Sequence, residues 1–212
     1  MSEEKRDGSL VILSGPSGAG KSALTEYALR SLPGLKFSIS YTTRAPRGGE
    51  RDGVEYFFTD RAKFESLAAA GEFLEWAEVH GNYYGTSRSF IDGVLRQGDD
   101  AILDIDVQGA RAVKASRPDA VAVFVMPPSF EALRERLLRR SLDDESVIAR
   151  RLKIALNEIR SYENYDYLII NDDLKNAERE FVAIIIAAHC RMNLRRNAVV
   201  SIMEHFGGTA DG

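Results

Sequence analysis

A chain of 212 residues, 44% hydrophobic and 28% charged, is long enough for one well-buried core with small inserted lobes. Its formal net charge of −4 argues against a general nucleic-acid binder, which carries a strongly basic face. The single cysteine, Cys190, excludes an internal disulfide and fits a reducing compartment. It falls in an apolar helical pattern and is read as a packing residue.

The opening MSEEKRDGS is polar and lacks the apolar segment of a signal peptide. The longest apolar run, residues 181–188, is far short of a membrane span, so a cytoplasmic protein with no membrane partner is expected. Residues 1–8 and 207–212 read as flexible tails. LVILS (10–14) is the first strand; it is apolar on both alternating faces, as strands buried in a parallel sheet are. A helix is expected over 21–31, then a weaker strand, FSIS (37–40).

Residues 41–98 break the rhythm with shorter, more polar strand-like pieces (EYFF, FLEWAEV, NYYGT) and a helix near 61–70, which suggests an inserted lobe. Buried strands return at 101–106 and 120–126, followed by a helix over 129–140. Residues 138–151 are highly charged and nearly free of core residues, the pattern of a mobile lid. YLII (167–170) is the last strand. From 174 to about 205 a single long helix is expected, with one apolar stripe through Leu174, Ala177, Phe181, Ile184, Ile185, Ala188 and Met192. Alternating strands and helices imply an α/β fold: three layers around a central parallel sheet. Its core is expected over 9–40, 99–137 and 152–206, with 41–98 as the inserted lobe and 138–151 as the lid.

Directly after the first strand stands GPSGAGKS: Gly15, Pro16, Ser17, Gly18, Ala19, Gly20, Lys21 and Ser22 match the phosphate-binding P-loop pattern. The glycines let successive N–H groups turn inward at phosphate oxygens, and the following helix points its positive end at the same anion. Lys21 would reach the β- and γ-phosphates, and the Ser22 hydroxyl could ligate Mg²⁺. Asp104 and Asp106 end an apolar strand two residues apart, on one face. In P-loop enzymes such an aspartate holds magnesium through its water shell, and Asp104, inside the apolar run, needs some partner. Asp106 is alternatively a helix N-cap.

A P-loop alone does not separate a GTPase, an ATPase and a small kinase. Arg44, Arg47 and Arg51 crowd one loop of an acidic chain, and guanidinium forks suit phosphate oxygens. Tyr56 and Tyr84 could add hydroxyl donors. The stretches SISYTTRAPRGGERDGVEYFF, EFLEWAEVHGNYYGT, ILDIDVQG and INDD, within a similarity spanning about residues 9–190, resemble guanylate kinase.

The resemblance implies phosphoryl transfer from ATP to GMP, with both nucleotides as small-molecule partners and Mg²⁺ accompanying ATP. By the same resemblance, Arg44, Arg47, Tyr56 and Tyr84 hold the GMP phosphate, Ser40, Glu75, Thr86 and Asp106 read the guanine or lie beside it, and Glu50 and Asp104 belong to the GMP site as well. Arg136, Arg140 and Arg151 are implied as lid arginines closing over the triphosphate, and Asn171 as a neighbour of adenine. Guanine's Watson–Crick edge offers two adjacent N–H donors, which one carboxylate such as Glu75 can accept, while a hydroxyl such as Thr86 could donate to O6. The family's R-x-x-G-R-G reads RLLRRS here, with Arg139 and Ser141 in place of both glycines. Related domains serve as non-catalytic peptide-binding scaffolds, but those have usually lost the complete phosphate cradle. A GTPase is disfavoured by the lack of an N-K-x-D signature, and a kinase for another phosphorylated small molecule would not need the guanine-reading set. His80, His189 and His205 show no metal-ligand spacing and read as structural or surface residues. The sequence leaves monomer and homo-oligomer equally open.

Overall fold

The computed structural model describes residues 7–79, 81–140 and 145–206. Its centre is β1 (Leu10–Ser14), buried at every position. β1 pairs in parallel with β7 (Asp100–Asp104) on one side and β8 (Val121–Met126) on the other. β2 (Leu35–Phe37) and β9 (Tyr167–Ile170) complete a five-stranded sheet in the order β2-β7-β1-β8-β9.

Side chains alternate across the sheet, so each strand feeds two cores. Val11, Leu13, Val123 and Val125 pack under α1 (Lys21–Ser31) and α7 (Leu174–His189), with Phe181 and Ile185 fully covered. Leu10, Ile12, Ala101 and Leu103 face α3 (Arg88–Arg96) and α4 (Val107–Ser116). The result is helix, sheet and helix: the three-layer α/β arrangement.

A second sheet of four strands, in the order β4-β3-β6-β5, is built from β3 (Tyr41–Thr42), β4 (Phe57–Phe58), β5 (Phe73–Val79) and β6 (Asn82–Ser87). α2 (Arg61–Ala69), N-capped by Asp60, lays Phe64 on it against Phe73 at 4.5 Å and Tyr83 at 5.4 Å. Leu74 of β5 belongs to the core that covers α4, which ties the small sheet to the large one.

Several expectations are corrected. The weak strand of 37–40 lies earlier, at Leu35–Phe37, where it pairs with β7. The strand of 101–106 ends at Asp104, because Asp106 turns to cap α4. The long C-terminal helix is two: α7 closes at His189, Arg191 is extended (φ −62°, ψ 139°), and α8 (Met192–His205) follows. The apolar stripe therefore stops short. Met192 is 77% exposed, and Leu174 is also exposed. Cys190, expected in the packing, is an exposed free thiol at the end of α7.

The charged stretch 138–151 holds more order than its composition suggests. α5 (Phe130–Arg140) takes in its residues 138–140 and α6 (Glu145–Ile159) its residues 145–151, and Ile148 is buried with Leu133, Leu137, Leu152 and Ala155. Ser141 and residues 142–144 lie outside the described residues, as do His80, residues 1–6 and the tail 207–212. His189 proves structural, its Nδ1 2.8 Å from Asp100 Oδ2. No helix among the described residues is long and apolar enough to cross a membrane.

Phe181 is fully buried between α7 and the sheet. Phe181→Ala is expected to cost about 3–5 kcal/mol of unfolding free energy, measured by urea titration. A loss below about 1 kcal/mol would mean that α7 is not part of the cooperative core.

Candidate active site

The chain leaves β1 through the loop Gly15–Gly20 and enters α1. Gly15 takes φ +140°, and a Cβ there would sit 2.3 Å from the carbonyl oxygen of Val125, so only glycine fits. Lys21 folds back into the loop: its Nζ donates to Gly15 O at 2.7 Å and lies 3.8 Å from Asp104 Oδ1. Asp104 thus has a cation beside it, as a carboxylate at the end of an apolar strand requires. Ser22 is exposed on the first turn of α1.

Asn171 and Arg136 brace the loop from behind. Asn171 Nδ2 donates to Ala19 O at 2.7 Å, and the Arg136 guanidinium donates to Ala19 O at 3.3 Å and Asn171 O at 2.8 Å. Asn171 Oδ1 is buried with no hydrogen-bond partner among the described residues. Arg136 was expected on a lid over the triphosphate; here its donors go to the backbone of the P-loop and of Asn171. Arg151 lines the P-loop cleft from α6, whereas Arg140 ends α5 and its side chain lies outside the described residues.

Asp104 and Asp106 line the same cleft, although not through strand alternation. β7 stops at Asp104, and Asp106 is the N-cap of α4, accepting from Gly109 N at 2.8 Å. The turn between them keeps both carboxylates at the cleft floor.

On the small sheet Arg44 is almost fully buried. Its guanidinium donates to both oxygens of Glu50 (2.8 and 3.0 Å) and to Ala45 O (2.9 Å), and lies over the Tyr56 ring, 5.2 Å from its centroid. Glu50 also accepts from Arg47 N at 2.8 Å. The Arg44 guanidinium, with the Arg47 amide, holds the Glu50 carboxyl below its ordinary range. The arginine loop therefore carries an anion of its own. Arg47 and Arg51 are exposed, and Tyr56 and Tyr84 meet edge-on at 5.9 Å.

Ser40, Tyr56, Tyr84 and Glu75 close one cleft over Asp104 and Asp106. Tyr56, Val79, Asp104, Ile105 and Asp106 also line the cleft of the P-loop, so the two run together. Glu75, on β5, is 8% exposed, and the Thr86 hydroxyl across the strand pair donates to its Oε1 at 2.6 Å. Burial, reinforced by the charge of Asp106, pushes the Glu75 carboxyl up to about 7 despite that hydrogen bond. The Thr86 hydroxyl thus holds the Glu75 carboxylate in place.

Sequence reasoning does not single out one titratable residue of the cleft. Glu158, on α6, faces the P-loop; burial raises its carboxyl pKa, and Lys21 opposes that rise. In sequence it is one charge among many on an amphipathic helix, and no spacing marks it.

The donor set suits a hard cation brought by a phosphate ligand. Ser22 and Asp104 offer a hydroxyl and a carboxylate oxygen, the ligand types magnesium takes while keeping waters and phosphate oxygens. Among the described residues, no group of three or more His, Cys, Asp or Glu side chains could hold a metal by itself. The residues fit a magnesium ion shared with a triphosphate.

The arrangement agrees with comparisons to known proteins. The family model for guanylate kinase matches residues 7–188. The guanylate kinase of Symbiobacterium thermophilum is 49% identical over 207 residues, covering 98% of both chains. That of Koribacter versatilis is 50% identical over 187 residues, 87% of this chain and 80% of its relative. The crystal structure of guanylate kinase from Anaplasma phagocytophilum superposes with a TM-score of 0.75 at 34% identity, covering 93% of this chain and 96% of that one. A P-loop on a parallel sheet, opening onto a cleft with a buried carboxylate at its far end, thus occurs in a chain that belongs to the guanylate kinase family.

Proposed function

We propose that the chain transfers the γ-phosphoryl group of ATP to GMP, giving ADP and GDP. The observation that carries this reading is the buried Glu75 carboxylate, held by Thr86 in a cleft continuous with the P-loop. Guanine presents N1–H and N2–H side by side to such a carboxylate. Adenine presents an acceptor at N1 and would be repelled. A site whose buried polar groups go unpaired with the wrong base can discriminate by about 10⁴.

In this reading residues 41–98 form the GMP lobe, 138–151 the lid, and 9–40, 99–137 and 152–206 the core. Arg44 and Arg47 bind the GMP phosphate with Tyr56 and Tyr84, and Ser40 presents a hydroxyl beside the base. Glu50 is displaced from, or shares, the Arg44 guanidinium when phosphate arrives. The P-loop amides and Lys21 take the β- and γ-phosphates, and Lys21 exchanges Gly15 O for phosphate oxygens. Asn171 and Arg136 keep the loop rigid behind the adenine side. Arg140 and Arg151 approach the γ-phosphate as the lid closes.

Ser22 and, through water, Asp104 would hold magnesium, which when bound neutralises charge on the β- and γ-oxygens. An oxygen of the GMP phosphate attacks the γ-phosphorus in line, and the bond to the ADP oxygen breaks. No general base is needed, because the attacking oxygen is already anionic. The protein supplies alignment and positive charge, and closure excludes water.

Phosphorus NMR of the protein with MgATP and each of GMP, AMP, CMP and UMP should show ADP and a new diphosphate with GMP alone. Turnover of AMP at a similar rate would refute the base assignment. Glu75→Gln should lower kcat/KM for GMP by about 10²-fold or more and leave ATP affinity within about twofold.

The ionisation of Glu75 gives a third test. Its folded-state pKa near 7 lies above the ordinary 4.5, so the stability it confers is fully present below 4.5. That stability is lost as pH rises through about 7, on the order of 3 kcal/mol in total. Urea titrations between about pH 4 and pH 8 should show a steeper fall in the wild type than in Glu75→Gln, where the raised pKa of Glu158 remains. GMP, by offering two donors to the ionised form, should bind more tightly as pH rises. The phosphate of GMP titrates near pH 6 in both proteins, so only the difference between wild type and variant reports on Glu75.

A further inference from the structure

The position of the Glu75 carboxylate depends on a residue of another element. The first turn of α4 passes against it at Gly109, whose amide donates to the N-cap Asp106. A Cβ built on Gly109 would lie 2.9 Å from Glu75 Oε2, 3.3 Å from Glu75 Cδ and 3.4 Å from Asp106 Oδ1. The first contact is closer than real Cβ atoms come to a neighbour. What it meets is the tip of a flexible side chain and not backbone, so the carboxylate would be the part that moves.

Nothing else at this position calls for glycine. Gly109 lies within a regular helix and is not among the residues of positive φ. Alanine is the better helix former there, so glycine lowers helix stability without a backbone reason. On its other side the carboxylate is fixed by the Thr86 hydroxyl at 2.6 Å. It is held between a hydrogen-bond donor on β6 and a bare Cα on α4. Displacement from Gly109 must stretch the Thr86 bond or drive the carboxylate into the cleft space above Asp106, a like charge.

We propose that Gly109 is a positioning residue for base selection: its missing side chain sets the depth of the Glu75 carboxylate and so the preference for a base edge with two adjacent N–H donors. This rests on the reading of Glu75 as the base-binding carboxylate.

The test is steady-state kinetics of the full chain and its Gly109→Ala variant with MgATP and either GMP or inosine monophosphate, which lacks the 2-amino donor. A misplacement of about 1 Å costs on the order of 10–100-fold, so KM for GMP should rise by that factor while KM for ATP stays within about twofold. The GMP-over-inosine-monophosphate ratio of kcat/KM should fall by about fivefold or more, because the lost contact is the one to the second donor. The melting temperature should hold or rise, as expected for Gly to Ala in a helix. In a Glu75→Gln background the same change should have less than about twofold further effect on GMP, the non-additivity of residues acting through one contact.

An unchanged GMP KM and base preference in Gly109→Ala, with Glu75→Gln still crippling GMP use, would overturn the positioning role alone. Parallel losses for ATP and GMP with a lowered melting temperature would also overturn it, showing that Gly109 serves the fold. If Glu75→Gln itself leaves GMP use intact, the base-binding reading fails, and the proposal with it.

Discussion

The site depends on the parallel pairing of β1 with β7 and β8. Parallel strands end on the same edge, and in open α/β sheets the crevice beyond the carboxyl ends is where ligands bind. Here that edge collects Gly15 after β1, Asp104 at the end of β7 and Asn171 after β9. The register is tight: Leu13 stands beside Asp104, and Gly15 packs so closely on Val125 that a Cβ has no room. A shift of one residue would turn each strand's core side chains to the wrong face and separate Lys21 from Asp104.

With the sheet edge set, the remaining features of the site are ways of giving each charged group a partner within the chain. Lys21 rests on Gly15 O, Arg44 on Glu50, and Glu75 on the Thr86 hydroxyl. Each group is prevented from being an unpaired buried charge, which would be costly. The site is thereby preorganised while its charged groups stay available. The raised pKa of Glu75 shows what that costs, since burial beside Asp106 disfavours the charged form.

α5 and α6 carry the same logic to the other side of the cleft. Their small core around Leu133, Leu137 and Ile148 lets two highly charged helices hold together while Arg136 reaches the P-loop and Glu158 and Arg151 face it. Arg139 pairs loosely with Glu135, 3.6 Å away on the surface of α5.

Much of this was written locally. Strand-length apolar runs at 10–14 and 167–170, the GPSGAGKS loop and the arginines of 44–51 are continuous patterns whose physics acts over a few residues, and they could be read without a structure. The sequence by itself therefore determined the α/β class, the P-loop after the first strand and the crowding of arginines on one loop. What only the tertiary structure decided involves groups distant along the chain. Thr86 donates a hydrogen bond to Glu75, Arg136 turns to Ala19 and Asn171, and Gly109 leaves space for a carboxylate 34 positions away. The C-terminal pattern divided into two helices because a periodic apolar stripe does not specify where the chain will turn, and Cys190 became exposed at that turn. Periodicity reports which face of an element is buried. Which side chain a buried polar group meets is set by packing between elements, and no local pattern encodes it.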